Sequence, residues 1–234
     1  MEGSDNKNLK AYDFLAYYYD YLLMDEESLN YWLKYILEED FTSCLELASG
    51  TGVMAGILKN RGYEVIASDI SASMKEASKA NFDGEYLLLN MSDYKLNRKF
   101  DLILCICDSI NYLNEDELDS FIECAFNHLN DNGRLIFDMH HINRLKEFEE
   151  EYIEEGYLED MPYQWTINAD NDSLHEHFTF YSKDGMMKED HFQHVFKPET
   201  VINKLNRYFD VHYIEDFVPD EKVLFVNRKK DIRR

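Results

Sequence analysis

Apolar residues change their spacing along the chain, and the change separates two kinds of structure. Between residues 43 and 140, short apolar runs alternate with segments in which apolar side chains recur at helical spacing. The apolar runs predict strands over 44–47, 64–68, 85–90, 100–107 and 134–140. Strands that alternate with helices predict a parallel sheet with right-handed crossovers.

Helical spacing and boundary residues predict the helices. Gly62 is placed to end the helix after the first strand, and Ser73 with Glu76 predicts a capping box for the next one. The predicted helices cover residues 8–24, 26–38, 53–59, 73–80, 115–129, 142–155 and 198–208.

The alternation of strand and helix patterns ends after residue 141, where aromatic residues and turn sequences become frequent. Runs over 163–168, 174–182 and 187–196 predict an antiparallel meander, and two apolar stretches over 211–214 and 223–226 close the chain.

These elements together predict an α/β fold. We expect a doubly wound, mostly parallel seven-stranded sheet from residues 1–145 and 196–234. An antiparallel β insertion over residues 146–195 follows the fifth strand, and we expect no internal repeat.

Charge limits the kinds of partner. The chain has 47 acidic residues against 24 lysines and arginines, a net charge of −23. Nucleic acids and anionic membranes attract basic surfaces, so we expect neither and favour a small neutral or cationic molecule. No apolar run approaches the ~18 residues needed to span a bilayer, and the polar N-terminus lacks a signal-peptide core.

Cysteine usage indicates the compartment. The four cysteines lie in apolar stretches without the spacing of a disulfide framework: Cys44, Cys105, Cys107 and Cys124. We therefore expect reduced thiols and a cytoplasmic protein.

The segment LELASGTG ends the first predicted strand in a glycine-rich turn. Gly50 and Gly52 allow the backbone to approach a ligand closely, and the helix N-terminus behind them favours a negatively charged group such as a carboxylate. Asp69 ends the second strand, where a carboxylate accepts hydrogen bonds from ribose hydroxyls.

Two residues bear on which adenosine cofactor the turn holds. The sequence GTGVMA fits the dinucleotide fingerprint GxGxxA, with Asp69 near the expected spacing. Glu46, four residues before Gly50, would meet a pyrophosphate unfavourably but suits a cofactor with an amino group and a sulfonium. Met74, one helical turn beyond Asp69, can pack on an adenine face.

These segments together resemble the class I S-adenosylmethionine-dependent methyltransferases over nearly the whole chain. LELASGTG is similar to their first motif, with Ala48 where glycine is usual; bacterial amino-sugar N,N-dimethyltransferases carry a similar alanine. Asp69 matches the ribose-binding acid, and Asn90-Met91-Ser92-Asp93 resembles the third-strand motif that holds adenine. The resemblance implies S-adenosyl-L-methionine as cofactor, bound by Tyr19, Glu46, Ala48, Gly50, Gly52, Asp69, Ile70, Met74, Asn90, Met91 and Cys107.

Three further segments resemble one subfamily, which groups small bacterial methyltransferases of unassigned substrate with the amino-sugar enzymes. Residues 107–113 are similar to its fourth-strand segment, and residues 137–140 to its fifth-strand end. Residues 14–20 are similar to its N-terminal Tyr-Asp motif, a helix that closes over the cofactor.

Methyl transfer requires mainly that nucleophile, carbon and sulfur be aligned. His140, just past the fifth strand, is the expected general base; alternatively it only hydrogen-bonds substrate or backbone. Tyr19 is expected to face the sulfonium, unless it is a core aromatic. Asp108 and Asn111, with His140, are expected to line the substrate site; the alternative is capping of the helix at Glu115.

For two other groups of residues, a chemical role has to be weighed against an ordinary structural one. His175 and His177, with His191 and His194, could bind a transition metal, but we expect a polar strand face and no metal site. Residues 149–160 hold seven acids in twelve, which predicts a solvated helix face or a lid that attracts a cationic amine.

The sequence therefore suggests a methyltransferase for a small molecule, with an amine favoured over a hydroxyl. The insertion would form the substrate wall and lid, and the protein would act as a monomer or homodimer. A protein or RNA methyltransferase is one alternative; charge, and Cys107–Ile110 in place of an Asn-Pro-Pro-Tyr motif, argue against RNA. Alternatives of another class are an NAD-dependent oxidoreductase and a non-catalytic cofactor-binding module.

Overall fold

The structure, a computed structural model, describes residues 12, 14–23, 26–183 and 185–231. These residues form two sheets and the helices that pack on them. The strands are β1 (Ser43–Glu46), β2 (Glu64–Asp69), β3 (Glu85–Leu88), β4 (Phe100–Cys105), β5 (Leu129–His140), β6 (Tyr152–Leu158), β7 (Met161–Asp170), β8 (Ser173–Ser182), β9 (Gly185–His194), β10 (Phe209–Val218) and β11 (Lys222–Lys229). The α-helices are α1 (Tyr19–Leu23), α2 (Glu26–Ile36), α3 (Val53–Asn60), α4 (Ala72–Ala77), α5 (Glu115–His128), α6 (Arg144–Glu147) and α7 (Pro198–Leu205). Short 3-10 helices cover Leu15–Tyr17, Ser78–Ala80 and Ser109–Tyr112.

Seven of the described strands form the large sheet, in the order β10-β11-β5-β4-β1-β2-β3. β11 runs antiparallel to both of its neighbours, and the other pairs are parallel. The predicted doubly wound, mostly parallel seven-stranded sheet is confirmed. The strand order reverses between β1 and β4, and such a reversal opens a crevice at the carboxyl ends of the strands.

The central strand β4 explains how helices cover both faces of the sheet. Ile103 and Cys105 pack into the core that contains Phe121 of α5. Leu102 and Leu104 pack into the opposite core, with residues of α2 and α3. Both sets are fully buried, as the unbroken apolar run in the sequence predicts for a strand covered on two faces.

The chain between β5 and α7 forms a second sheet, which is antiparallel throughout. Its strand order is β6-β7-β8-β9. This confirms the predicted antiparallel insertion after the fifth strand. Phe178 and Phe180 on its inner face pack against Leu15. Leu15 belongs to what we call the N-terminal segment, residues 12 and 14–23, so that segment is part of the insertion's core.

The helix predicted over residues 142–155 is wrong beyond its first turn. Only Arg144–Glu147 is helical, and Tyr152–Leu158 is the edge strand β6. Pairing with β7 supplies backbone partners along the whole of β6, and this outweighs the helical spacing of its apolar residues. The acidic run is therefore largely a charged sheet edge, and charge on an edge strand discourages further strand pairing.

The helix predicted over residues 8–24 is confirmed only over α1 (Tyr19–Leu23) and is wrong before it; residues 8–11, 13 and 24 lie outside the described part. Tyr12 has φ +69°, and the chain then forms the 3-10 turn Leu15–Tyr17 before α1. The Glu189 carboxylate accepts hydrogen bonds from the backbone N–H groups of Tyr12 and Leu15, which breaks the local helical pattern.

Two local boundaries also differ from the sequence prediction. Ser71, not Ser73, caps α4, because its hydroxyl accepts the Met74 N–H at 3.2 Å. β5 begins at Leu129 rather than at residue 134; it passes through an irregular stretch in which Asn132 has φ +63°. No helix in the described residues is long and apolar enough to cross a membrane.

Asp101 joins the amino ends of three strands. One carboxylate oxygen accepts the backbone N–H and hydroxyl of Thr42 and of Ser43 at 2.8–3.1 Å, and the other accepts Asn130 Nδ2 at 2.7 Å. Burial alone would raise the pKa of Asp101, but these hydrogen bonds outweigh burial and hold it below its ordinary value.

We expect Asp101→Asn to lower the free energy of unfolding by about 1–3 kcal/mol at pH 7, because an amide cannot accept all of these bonds. The lowered pKa makes this stabilisation present above about pH 4, so the difference should shrink as the pH falls below that value. Urea unfolding at pH 7 and at a pH below about 4 tests this, with the exposed Asp93→Asn as control. Equal stability at pH 7 would contradict it.

Candidate functional site

A cleft opens at the carboxyl ends of β1 and β4, where the strand order reverses. Its volume is about 370 Å³, solvent space at the mouth included. The lining comes from the N-terminal segment, the loop after β1, the start of α3 and the loop after β4. These residues are Tyr19, Glu46, Ala48, Ser49, Gly50, Thr51, Val53, Met54, Ile106, Cys107 and Ser109.

The loop between β1 and α3 is the predicted glycine turn, and it forms one wall of the cleft. Ala48, Gly50 and Gly52 have φ of 49°, 54° and 73°. A Cβ at Gly52 would lie 3.0 Å from Phe82 Cβ, so only glycine fits there without displacement. Tyr86 fixes the loop, since its hydroxyl donates to the Gly50 carbonyl at 2.5 Å.

Two buried carboxylates flank this turn. Glu46 accepts the Ser49 hydroxyl at 2.9 Å, and burial raises its pKa to about 8. Asp69 accepts the backbone N–H groups of Gly50 at 3.0 Å and Ser71 at 2.8 Å. Burial raises the pKa of Asp69 despite these bonds. An acidic wall of this kind suits a ligand that brings a positive charge and hydroxyl donors.

Other residues expected to bind the cofactor lie around the turn rather than in the cleft wall. The Met74 side chain is buried beside Gly50, whereas Ile70 is exposed. The side-chain oxygen of Asn90 accepts the N–H and hydroxyl of Ser92 at 2.9 Å. Met91 contacts the Cys105 sulfur at 3.7 Å.

The N-terminal segment reaches the cleft through Tyr19, and burial raises the pKa of this phenol well above its ordinary value. The adjacent Asp20 carboxylate accepts the Thr51 hydroxyl and, at 2.7 Å, Asn81 Nδ2. The Tyr12 ring packs edge-on against Tyr19, with centroids 5.8 Å apart. The segment is therefore attached directly to the loop that lines the cleft.

A group of buried charges stands at the carboxyl ends of β4 and β5. The Lys222 ammonium donates to Asp108 and lies 3.4 Å from an oxygen of Asp138. The other Asp138 oxygen accepts the Trp32 indole N–H at 3.1 Å. We call Asp108, Asp138 and Lys222 the charge cluster.

The pKa values of the two carboxylates of the charge cluster are shifted in opposite directions. Burial opposes ionisation of both, but Lys222 outweighs it at Asp108 and holds that pKa at about 2. At Asp138, burial and the neighbouring Asp108 charge outweigh Lys222 and raise the pKa to about 6. The two carboxylates raise the pKa of Lys222, although burial alone would lower it.

The three residues expected to line the substrate site lie together. The His140 backbone N–H donates to the Asn111 side-chain oxygen at 3.0 Å. His140 Nδ1 lies 3.6 Å from Asp108 Oδ1, and its Nε2 lies 2.8 Å from Gln193 Oε1 on β9. Asn111 in turn donates to the His194 carbonyl at 2.5 Å. These bonds tie the sheet edge to the insertion.

The loop after β4 is strained where it meets this site. Cys107 and Asp108 have φ of 62° and 58°, a left-handed conformation that non-glycine residues seldom adopt. Asp108 Oδ1 is buried without a hydrogen-bond partner in the described structure. Strained backbone and an unsatisfied acceptor together are typical of a ligand site.

Sequence reasoning missed Lys222 and Gln193, and it took Asp138 only as part of a motif. Lys222 follows Asp108 by 114 residues and Asp138 by 84, so no local pattern connects them. The four histidines do not assemble: His177 pairs with Asp190 on the exposed side of the insertion, while His191 is buried on the other face. Among the described residues, no group of His, Cys, Asp and Glu is arranged to hold a metal ion.

We expect Lys222→Met to lower the free energy of unfolding by about 3–5 kcal/mol at pH 7, because two buried carboxylates lose their cation. The loss should be smaller at pH 5, where Asp138 with its pKa of about 6 is already protonated. Denaturant unfolding at the two pH values measures it. Lys188→Met on the exposed face of β9 is the control, and Asp138→Asn should recover part of the loss. A pH-independent deficit would contradict the ion-pair explanation.

Comparison with known proteins identifies the domain around the cleft. A family described as "Methyltransferase domain" matches residues 44–133. A relative from Geobacillus sp. (strain WCH70), with methyltransferase in its name, is 26% identical over 169 residues, which is 67% of this chain and 68% of that protein.

Solved structures share the fold over nearly the whole chain. An S-adenosylmethionine-dependent methyltransferase from Clostridium acetobutylicum ATCC 824 superposes with a TM-score of 0.79 and 23% identity, covering 93% of this chain and 98% of that one. The sugar N-methyltransferase KedS8 from Streptoalloteichus sp ATCC 53650 superposes with a TM-score of 0.77 and 19% identity, covering 92% of each chain. The matched domain and the shared fold agree with the cleft: residues 44–133 match a methyltransferase domain, and the chain as a whole has the fold of S-adenosylmethionine-dependent methyltransferases.

Proposed function

We propose that this chain is an S-adenosylmethionine-dependent methyltransferase that methylates the amine of a small molecule bound between the carboxyl edge of the large sheet and the insertion. The observation that carries the proposal is the buried Asp108 Oδ1, which has no hydrogen-bond partner and stands at the mouth of β4. Lys222 pairs with the other oxygen of Asp108, so Oδ1 is left to accept the N–H of a cationic or neutral amine, since a buried acceptor without a donor is costly.

The residues around the glycine turn fit S-adenosylmethionine. Glu46 and Asp69 are buried acceptors for an ammonium group and for ribose hydroxyls, and Met74 lies beside the loop. Tyr19 would close the cleft over the sulfonium side. When bound, the cofactor supplies a methyl group on a good leaving group. The protein's own contribution is to hold the acceptor nitrogen in line with that group and to exclude water.

The electrostatics near Asp108 support an amine rather than an anionic acceptor. Three groups lower the pKa of Asp108 electrostatically, namely Lys222, His140 and Arg144; Lys222 contacts Asp108 itself, and Arg144 contacts Glu147. Glu176 and Glu189 point from the inner face of the insertion toward the same region as Tyr12 and act on its phenol. The sugar N-methyltransferase KedS8 has the same fold, so an amino sugar is a natural first acceptor to test.

Within this proposal, the insertion over 146–195 is the substrate wall and lid, and His140 and Asn111 hold its Gln193 and His194 to the sheet. Asn111 and His140 then position the acceptor. The net charge of −23 supports a small-molecule acceptor over RNA, and the free cysteines fit a cytoplasmic protein.

Cofactor binding should release a proton from Glu46. Burial gives this carboxyl a pKa of about 8, so it is mostly protonated at pH 7; a bound ammonium would favour its ionised form. Affinity for S-adenosylhomocysteine should therefore rise by up to tenfold per pH unit between pH 6 and pH 8. Calorimetric titration in two buffers of different ionisation enthalpy measures both the affinity and the proton.

Glu46→Gln should remove this pH dependence, whereas Glu85→Gln, at the opposite end of the sheet, should keep it. An affinity that is flat between pH 6 and pH 8 in the unmodified protein would disprove the contact between Glu46 and the cofactor's amino group.

The acceptor is tested with pairs of sugars that differ only in an amine or a hydroxyl at one position. We expect S-adenosylhomocysteine release and a gain of one methyl mass with the amine alone. Asp108→Asn should lower this turnover by about 100-fold with unchanged S-adenosylhomocysteine affinity, because the amine loses its ionic acceptor. The surface variant Asp119→Asn is the control. Methylation of the hydroxyl sugar alone, or of RNA or protein alone, would contradict the proposal.

A further inference from the structure

A chain of hydrogen bonds crosses from the N-terminal segment to the insertion without using His140. The Tyr12 hydroxyl lies 2.6 Å from the Tyr112 hydroxyl, and Tyr112 lies 3.0 Å from His191 Nδ1. On the far side of the imidazole, His191 Nε2 is 3.8 Å from Glu189 Oε2. The side chains of His191 and Glu189 are only 2% and 4% exposed, so bulk water does not compete for these contacts.

Glu189 is held as an anion in this chain. Burial opposes its ionisation, but the neighbouring His191 and the hydrogen bonds from the backbone N–H groups of Leu15 and Phe14 outweigh burial and lower its pKa. The Tyr12 N–H donates at 3.0 Å to Oε2, the oxygen that faces His191 Nε2, and this nitrogen has no hydrogen-bond partner of its own in the described structure. A fixed carboxylate beside an imidazole orients the ring and stabilises the imidazolium.

This arrangement gives the chain one consistent direction. With Nε2–H facing Glu189, His191 Nδ1 is left as an acceptor, and the Tyr112 hydroxyl donates to it. Tyr12 then donates to Tyr112, which leaves the Tyr12 oxygen able to accept a further proton. The Tyr12 ring packs on Tyr19, which lines the cleft, so the chain contacts the cleft wall through Tyr12.

His140, the base expected from the sequence, has less freedom to accept a proton. Its Nε2 is engaged with Gln193 and its Nδ1 faces Asp108 at 3.6 Å. His191 differs because its basic nitrogen already ends a directed chain that begins beside the cleft.

We propose that His191, held by Glu189, is the positioning residue that takes the acceptor's proton through Tyr112 and Tyr12. The proposal rests on the proposed function. An N–H proton of the acceptor passes to the Tyr12 oxygen as the Tyr12 proton moves to Tyr112 and the Tyr112 proton moves to His191 Nδ1. The freed nitrogen lone pair forms the new N–C bond, the C–S bond breaks, and its electrons remain on sulfur. The imidazolium later returns its proton to solvent.

Every charged or titratable group that faces His191 enters the pH dependence. Glu189 lies on the same strand, and Glu176 lies opposite His191 in the β8–β9 register. Tyr12 comes from the N-terminal segment and Tyr112 from the 3-10 helix after β4; burial raises the pKa of both phenols, so they pass protons as neutral groups. The aromatic neighbour Phe178 does not titrate.

The direct test is the pH profile of kcat with the accepted amine. We expect an acid limb of unit slope in the unmodified enzyme. His191→Asn keeps an acceptor near the position of Nδ1 but is not basic. It should lower kcat at pH 7 by about 100-fold and remove the acid limb, with little change in KM. Tyr112→Phe should do the same, because it interrupts the chain.

The matched control is His177→Asn, a histidine of the neighbouring strand β8 that pairs with a carboxylate but faces solvent. It should leave kcat and the profile unchanged. Unchanged S-adenosylhomocysteine affinity and cooperative unfolding establish that the variants are folded. If His191→Asn lowers kcat but keeps the acid limb, or if His140→Gln alone removes the limb, the proposal is overturned.

Failure of the amine proposal can be separated from failure of this one. If only a hydroxyl acceptor is methylated, the proposed function fails, and the same profile measured with that hydroxyl still tests His191. The tautomer of His191 can be measured without any acceptor, by long-range ¹H–¹⁵N NMR. We expect an unprotonated Nδ1 in the enzyme; protonated Nδ1 would overturn the direction of the chain.

Discussion

Asp138 is fully buried at the carboxyl edge of the large sheet and the neighbouring Asp108 is mostly buried, and a carboxylate removed from water loses several kcal/mol of hydration. Lys222 compensates both, and it comes from the first residue of β11. The charge cluster therefore requires the antiparallel pairing of β11 with β5, which places the end of the chain against its centre. One oxygen of Asp108 remains unpartnered, and the account of the acceptor site depends on it.

The cleft is assembled in the same way, from parts that are remote in sequence. Asp20 attaches the N-terminal segment to the glycine turn, and Glu189 attaches the same segment to the insertion. The segment thus bridges the two sides of the site, with Tyr19 between these attachments. Cofactor closure and lid position are coupled by this geometry, since displacing the segment would leave the Glu189 carboxylate buried without its donors.

The extent to which sequence predicts this structure depends on the range of the interactions. The glycine turn, Asp69 and the seven strands follow from local patterns, because strand ends and turns carry their own chemistry. The helix expected over 142–155 was wrong because β6 gains its backbone partners from β7. Lys222, Gln193 and Glu189 could not be predicted, since each acts on residues more than 50 positions away. The roles expected for His140 and Tyr19 stay predictions.

The central claim is that the cleft beside the glycine turn binds S-adenosylmethionine through buried acids. Its most direct test is parallel calorimetric titration of the protein with S-adenosylmethionine, S-adenosylhomocysteine and NAD, repeated with Asp69→Ala. The account predicts one site per chain for the first two ligands, no binding of NAD, and at least tenfold weaker binding in the variant, because a buried carboxylate that accepts ribose hydroxyls is lost. Binding of NAD alone, or unchanged affinity in Asp69→Ala, would contradict it.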